Sequence, residues 1–143
     1  MDYSTRLKRN GKMYLIDTNI FLEILLEQEK SKECEVLISK AIKSNDFHVS
    51  SFTVHSVEVI MLRNNKVNEL MHFLSDINES RIIRIETNTE DELNALRIMK
   101  KFKLDFDDSL QFYICEKQNL KIISFDKHFD KTSIKRLEPK DLI

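Results

Sequence analysis

The sequence is poor in the residues that interrupt regular structure. Its 143 residues include one glycine, one proline, two cysteines and no tryptophan. Because it has no glycine-rich segment, the phosphate-cradling loops of P-loop and dinucleotide-binding proteins are excluded. The same scarcity predicts long helices, few tight hairpins and connections made of Asn, Asp, Ser and Lys.

An excess of charge and a long apolar run are also missing. The 23 basic and 24 acidic residues give a formal net charge of −1, so a polyanionic partner would have to be held by local patches or by a metal ion. No apolar run approaches the roughly 18 residues that indicate a membrane span, and the first residues lack the apolar core of a signal peptide. We therefore expect a cytoplasmic protein that does not enter a membrane.

The length and the 41% share of hydrophobic residues favour one globular domain. We assign it to residues 13–143 and interpret residues 1–12 as a flexible basic arm, either inert or in contact with nucleic acid. The cysteines, Cys34 and Cys115, lie far apart in helix-like apolar patterns without a metal-ligand spacing. We expect buried thiols rather than a disulfide or a nucleophile.

Short apolar runs alternate with longer helical patterns from Met13 onward. The predicted strands are MYLI, FHVSS, RIIRIE, KIISF and a short run near IKRLE. Helices are predicted over 19–26, 32–43, 52–62, 67–74, a segment opened by a capping box at 89–92, and 107–118, with Asn119 as the stop. Parallel neighbours need such long crossovers, so this order favours an α/β fold whose mainly parallel sheet of four or five strands is covered on both faces.

Acidic residues recur where the predicted strands end and helices begin. Asp17 ends the first strand, Glu58 lies in the helix after the second, Asp107 and Asp108 open the helix before the fourth, and Asp126 follows the fourth. Ligands of parallel sheets bind beyond the carboxyl ends of the strands, where strand order reverses. Clustered carboxylates repel one another unless a cation neutralises them. The pattern therefore predicts a Mg²⁺ or Mn²⁺ site suited to phosphodiester hydrolysis.

Three of these positions also have a structural interpretation. Asp17 is placed to cap the helix that follows it, and Asp126 is compatible with a turn. One of Asp107 and Asp108 is expected to cap its helix, and we favour Asp108 as the ligand.

Glu58 is harder to explain structurally. It lies among valine and isoleucine residues, where a carboxylate without a partner is costly, although a solvated helix edge remains the alternative. His55 lies one helical turn before it and on the same side. We expect His55 to support the structure rather than to act in catalysis.

Two segments together resemble a known family. The first, YLIDTNIFLEIL, joins an apolar strand to Asp17, and the second, LDFDDSLQFYICEKQNLKIISFDKHF, carries the later acids. In this order and at this separation they are similar to the opening and closing segments of the PIN-domain metal-dependent nucleases. Within that family, the similarity is to the VapC-like toxins. The resemblance runs from Met13 to about Leu137.

The resemblance implies roles for individual residues. It gives the metal-binding and catalytic acids as Asp17, Glu58, Asp108 and Asp126, with Thr18, Asn19 and Ser124 in supporting positions. Asp107 and His55 are added as supporting residues from their positions beside Asp108 and Glu58. Ser124 stands where a threonine or serine lies near the metal. The segment that carries Glu58 matches the family less well, because the residue pair His55-Ser56 is not the commonest one at this place in the family.

The resemblance also implies a fold and an activity. The fold is a three-layer α/β/α sandwich, and the activity is endonucleolytic cleavage of RNA with Mg²⁺ or Mn²⁺. A small antitoxin protein as partner and a homodimer are implied in the same way. Lys127, Lys121 and Arg63 are candidates for contacts with phosphate.

Two other functions remain open. A catalytically weak PIN-like module would bind RNA or protein without cutting it. A receiver-like regulatory domain also gathers acids around Mg²⁺ at strand ends, although the closing segment fits that fold poorly.

Overall fold

A computed structural model describes residues 13–143, and the predicted arm at 1–12 lies outside the described residues. The strands are β1 (Tyr14–Ile16), β2 (Phe47–Ser50), β3 (Ile83–Ile85), β4 (Lys121–Ile123) and β5 (Arg136–Leu137). The α-helices are α1 (Thr18–Leu25), α2 (Ser31–Ala41), α3 (Ser51–Arg63), α4 (Val67–Glu79), α5 (Thr89–Phe102) and α6 (Phe106–Gln118). Short 3₁₀ turns cover Lys127–Lys131 and Pro139–Asp141.

The five strands form one sheet in the order β3-β2-β1-β4-β5, and all neighbours are parallel. The chain builds outward from β1 to β3, then returns to place β4 on the other side of β1. Strand order therefore reverses between β1 and β4, whose carboxyl ends lie side by side. The predicted parallel sheet of four or five strands is confirmed.

Helices cover both faces of the sheet. Leu15 and Ile16 are adjacent in β1 and point to opposite faces, as the period of two requires. Ile16 packs in a core formed with the helices α1 to α4, whereas Leu15 packs in a second core with α5 and α6. This arrangement confirms the expected three-layer α/β/α sandwich.

Local signals placed most helix ends within one or two residues, with two informative exceptions. Asn88, not Thr89, caps α5, and it forms the capping box with Asp91. The helix α4 continues five residues past the predicted end at Leu74, because Ile77 still packs against the core. Asn119 ends α6 in the left-handed conformation, with φ 55°, as expected for an asparagine stop.

Both cysteines are buried thiols, which confirms the prediction. Burial raises the pKa of Cys34 to about 12 and that of Cys115 well above its ordinary value, so neither is activated as a nucleophile. None of the described helices is long and apolar enough to cross a membrane.

Candidate active site

An open cavity of about 310 Å³ lies at the carboxyl ends of β1 and β4. It is lined by Asp17, Thr18, Asn19, Leu22, Phe52, Ser56, Ile60, Asp105, Asp107, Asp108 and Asp126. Five of these residues are aspartates, and none is lysine or arginine. The cavity therefore has a strong negative potential at the point where the fold places ligands.

Asp17 is held in place from several directions. It follows β1 and caps α1, and its Oδ1 accepts a hydrogen bond from the Thr18 backbone N–H at 2.8 Å. Gln111 Nε2 donates to the same oxygen at 3.1 Å, and Ser124 Oγ donates to Oδ2 at 2.6 Å. Asp17 can therefore cap the helix and act in the site at the same time. Its side chain is only 7% exposed, but it still lines the cavity.

Burial raises the pKa of Asp17, because removing the carboxylate from water disfavours its charged form. The hydrogen bonds from Ser124 and Gln111 act in the opposite direction, since they stabilise the charge. The nearby carboxylate of Asp126 raises the pKa further. Asp17 is therefore a rigid carboxylate whose charge is partly compensated by donors.

Gln111 is a site residue that the sequence analysis missed. It is 1% exposed on α6, where its Nε2 also donates to Thr53 Oγ1 at 3.0 Å and its Oε1 accepts from Ser50 Oγ at 2.8 Å. The network joins α6 to the first turn of α3 and to Asp17. The available signal was a glutamine between Leu110 and Phe112, with Ile114 and Cys115 one turn later, since a buried amide needs partners.

Ser124 links two of the acids. Besides donating to Asp17, its hydroxyl accepts from Asn19 Nδ2 at 3.1 Å and from the Asp126 backbone N–H at 2.9 Å. Asn19 lies 3.5 Å from Asp17 Oδ2, and Thr18 Oγ1 is 2.9 Å from a threonine hydroxyl of α3. The structure thus places Thr18, Asn19 and Ser124 around the predicted first acid.

Asp108, Asp126 and His128 form the tightest cluster in the site. His128 Nδ1 lies 3.4 Å from Asp108 Oδ2 and 3.1 Å from Asp126 Oδ1. One donor atom from each residue falls within 4.8 Å of the other two, and no other group of three such residues is found within 13–143. These atoms are placed to hold one cation, with Asp17 on the same cavity but outside this set of three.

The environment of Asp108 resists a negative charge. Its side chain is buried, and burial, followed by the carboxylates of Asp126 and Asp105, raises its pKa to about 7. A carboxyl group of this kind holds a proton near neutral pH unless a cation replaces it.

Asp105 is a further acid of the cavity, which the sequence analysis did not single out. It caps α6 by accepting from the Asp108 backbone N–H at 2.8 Å, so the prediction that Asp107 or Asp108 supplies the cap was wrong. Asp107 lines the cavity, and its pKa is raised by desolvation and by Asp105. Because Asp105 takes the capping role, both following carboxylates are released towards the cavity.

The structure does not bring Glu58 to the cavity. On α3 the lining residues are Phe52, Ser56 and Ile60, four residues apart, and Glu58 lies two residues from Ser56, about 200° around the helix. Its Oε1 is instead 2.8 Å from His55 Nδ1 on the outer surface. The apolar neighbours were misleading, since Val59 is 47% exposed and the segment is not buried on all sides.

None of the three basic residues that were candidates for phosphate contacts lines the cavity. Lys121 begins β4, so it lies at the end of the strand opposite to the cavity. Neither Arg63 nor Lys127 is among the lining residues. A phosphate group in this cavity would therefore meet carboxylates before it met a basic side chain.

Comparison with known proteins identifies the fold. A toxin described as cleaving the sarcin–ricin loop, VapC20 from Mycobacterium tuberculosis, has a TM-score of 0.72 at 11% identity, covering 85% of this chain and 95% of that one. FitAcB from Neisseria gonorrhoeae has a TM-score of 0.67 at 19% identity, covering 90% and 99%. A toxin–antitoxin complex from Klebsiella pneumoniae has a TM-score of 0.66 at 16% identity, covering 88% and 97%.

The sequence itself gives the family. No curated protein matches the chain significantly. The profile of the PIN domain, however, matches residues 14–135, from the first strand to the segment just before β5, and so includes every acid of the cavity. The chain therefore belongs to the PIN-domain family.

Proposed function

We propose that this protein is a divalent-cation-dependent endoribonuclease, which hydrolyses RNA phosphodiester bonds with Mg²⁺ or Mn²⁺. The observation that carries the proposal is the convergence of Asp17, Asp108 and Asp126 on one cavity at the point where strand order reverses. The three residues come from separate parts of the chain, so local structure alone does not explain why they meet.

The residues present fit a hard divalent cation. Asp108 and Asp126 offer carboxylate oxygens that already converge, and the raised pKa of Asp108 shows a position whose charge lacks compensation. Asp17 Oδ1 accepts two donors, whereas Oδ2 accepts one short hydrogen bond, from Ser124 at 2.6 Å, and a long contact from Asn19 at 3.5 Å. Oδ2 therefore keeps a lone pair for a cation. Oxygen donors of this kind suit Mg²⁺ and Mn²⁺.

A bound cation would supply Lewis-acid stabilisation of phosphorane charge and a water of lowered pKa. The protein's own residues supply position. Ser124 and Gln111 fix the plane of the Asp17 carboxylate, and Ser124 also fixes the start of the turn that carries Asp126. Such preorganisation avoids the cost of orienting groups during reaction.

Charge supports the dependence on a cation. Five aspartates line the cavity and no lysine or arginine does, so an RNA phosphate would be repelled from it in the absence of a cation. The chain belongs to the PIN-domain family. Its sequence also resembles the metal-dependent nucleases of that family, and this supports the same reaction. One similar structure is described as a toxin that cleaves the sarcin–ricin loop, which supports RNA as the substrate class.

One observation favours a second candidate, a module that binds RNA or protein without cutting it. The helix α3 presents Ser56 to the cavity and turns Glu58 away, so α3 contributes no acid. A weaker site results if the remaining carboxylates bind the cation poorly. This candidate predicts RNA binding that survives loss of the acids and yields no cleavage product.

A partner protein belongs to the same proposal. One of the similar structures is described as a toxin–antitoxin complex, which supports a small inhibitory protein as partner of this chain. Expression of the chain should then arrest growth and expression of Asp17→Asn should not; growth unaffected by the wild-type chain would contradict the toxin role. The homodimer implied by the sequence resemblance stays a prediction.

The test compares variants on end-labelled RNA with Mn²⁺. Asp17→Asn and Asp126→Asn should each lower the cleavage rate at least about 100-fold, because a cation contributes several kcal/mol to such a reaction. Glu58→Gln is the matched control and should cut at the wild-type rate, since it removes a charge outside the cavity. Equal rates for all four proteins would reject the site, and retained RNA binding without any cleavage would establish the second candidate.

A further inference from the structure

His128 is the one member of the cluster that is not a carboxylate. Its Nδ1 faces two carboxylate oxygens from different segments, at 3.4 Å from Asp108 and 3.1 Å from Asp126. Its side chain is 67% exposed, so a cation from solvent has access to it. The cavity proposed above as the nuclease site thus carries a nitrogen donor at its edge.

The position of this ring is set by the fold. Asp126 Oδ1 accepts from the His128 backbone N–H at 2.9 Å and thereby starts the 3₁₀ turn at Lys127–Lys131. The next residue, Phe129, is fully buried in the core shared with α6. The turn is also tied to β5 by a 2.8 Å ion pair between Asp130 and Arg136. The backbone of His128 is therefore held between two fixed residues, which places its ring beside the two carboxylates.

The separations match those of neighbouring ligands around one ion. Two adjacent ligands of an octahedral cation, each about 2.1 Å from it, lie about 3.0 Å apart. The separations of 3.1 and 3.4 Å from His128 Nδ1 to the two carboxylate oxygens lie close to this value. The three donor atoms all lie within 4.8 Å of one another, so one cation can bind all three.

We propose that His128 is a nitrogen ligand of the cation and makes this site favour a first-row transition ion such as Mn²⁺ over Mg²⁺. The proposal rests on the cation site of the proposed function and specifies its metal preference. Mg²⁺ prefers a shell of oxygen atoms, whereas imidazole nitrogen binds transition ions more strongly. A mixed set of two carboxylates and one imidazole therefore discriminates between two ions that an all-carboxylate set treats alike.

The test uses Mn²⁺ alone as the probe, on protein without a histidine tag. Electron spin echo spectroscopy of the Mn²⁺-loaded chain should show coupling to a ¹⁴N nucleus, and competition with Mg²⁺ should give the ratio of the two affinities. His128→Asp keeps a third ligand but makes the set all-oxygen. It should still bind Mn²⁺, lose the nitrogen coupling, and lower the Mn²⁺-to-Mg²⁺ affinity ratio at least about tenfold.

Two further variants control the experiment. His72→Asp changes an exposed histidine of α4 and should leave both the coupling and the affinity ratio at the wild-type values. His128→Asn provides a second substitution if the aspartate disturbs the turn, and it too should lose the coupling.

The outcomes separate this proposal from the nuclease assignment. Mn²⁺ binding without nitrogen coupling, or an unchanged affinity ratio in His128→Asp, overturns the role of His128 even when RNA is cleaved with metal. Nitrogen coupling in a protein that cleaves no RNA supports the ligand and rejects the nuclease. If the wild-type chain binds no Mn²⁺, His128 acts only as a partner for the two carboxylates and both proposals fall.

Discussion

At the scale of single residues, the site depends on how Asp17 is held. Ser124, directly after β4, and Gln111 on α6 donate to different oxygens of its carboxylate. A buried network of this kind is stable only when each of its polar groups is satisfied. The same hydrogen bonds that stabilise the fold therefore set the direction in which the carboxylate faces the cavity.

Replacing Gln111 by methionine tests this coupling. The change keeps the volume but leaves Ser50, Thr53 and Asp17 each short of one hydrogen bond, so the free energy of unfolding should fall by about 1–3 kcal/mol. Affinity for Mn²⁺ should fall about 10- to 100-fold, because the ligand loses a group that orients it.

Urea unfolding and calorimetric titration with Mn²⁺ measure the two effects of this change. Gln118→Met, at the end of the same helix, is the matched control and should alter neither. Unchanged Mn²⁺ affinity in the Gln111 variant would contradict a positioning role.

The raised pKa of Asp108 predicts a pH dependence of stability. Its pKa rises from an ordinary 3.8 to about 7, so the folded protein binds this proton more tightly than the unfolded chain does. The resulting stabilisation is present at low pH and is lost as the pH rises from about 4 to about 7. A cation needs the charged carboxylate, so its own stabilising effect should grow over the same interval.

Thermal unfolding at about pH 5 and about pH 8, with and without Mn²⁺, measures this dependence. The increase in Tm caused by Mn²⁺ should be larger at the higher pH. Asp108→Asn should raise the Tm of the metal-free protein at the higher pH and abolish most of the increase. An increase independent of pH would show that Asp108 does not bind the cation.

Some residues of the site could be predicted from the sequence and others could not. Asp17, Asp108, Asp126 and Ser124 follow strand ends or open a helix, and the parallel sheet brings those ends to one edge. Gln111 could not be predicted as a site residue, because its partner Asp17 is 94 residues away and only the packing of α6 brings the two together.

At the scale of elements, α3 shows where periodicity fails. Valine, isoleucine, leucine and methionine occur around most of its circumference, so the pattern predicts a helix without predicting which face meets the sheet. Val57 is fully buried while Val59 and Leu62 are 47% and 54% exposed. Glu58 was predicted in the site from its apolar neighbours and from the family resemblance, whereas Ser56 occupies the face that lines the cavity.

Ser56→Glu tests this assignment of faces. It adds a carboxylate to a cavity already lined by five aspartates, so the metal-free protein should unfold at a lower temperature through repulsion. Binding of Mn²⁺ should become about tenfold tighter or more, because affinity rises with the number of charged ligands. Glu58→Gln should change neither quantity. Weaker Mn²⁺ binding in Ser56→Glu would place this face of α3 away from the cation.

At the scale of the whole molecule, the order of elements determined the architecture well. Strands of two to four residues are too short to be assigned securely one by one. Their alternation with long helices nevertheless requires crossovers, and crossovers require a parallel sheet with both faces covered. The order β3-β2-β1-β4-β5 was not predicted, because strand neighbours depend on contacts between distant segments. The position of the site could be predicted without the strand order, since the carboxyl ends of parallel strands share one edge of the sheet.

The most direct test of the central claim is the cleavage of end-labelled RNA by the wild-type chain as the cation is removed and restored. Cleavage should stop with chelator and resume with excess Mn²⁺, and the products should lack a 2′,3′-cyclic phosphate because water attacks the phosphorus. A preparation of Asp17→Asn made in parallel should remain inactive throughout. Cleavage that persists in chelator, or products that end in a cyclic phosphate, would contradict the account.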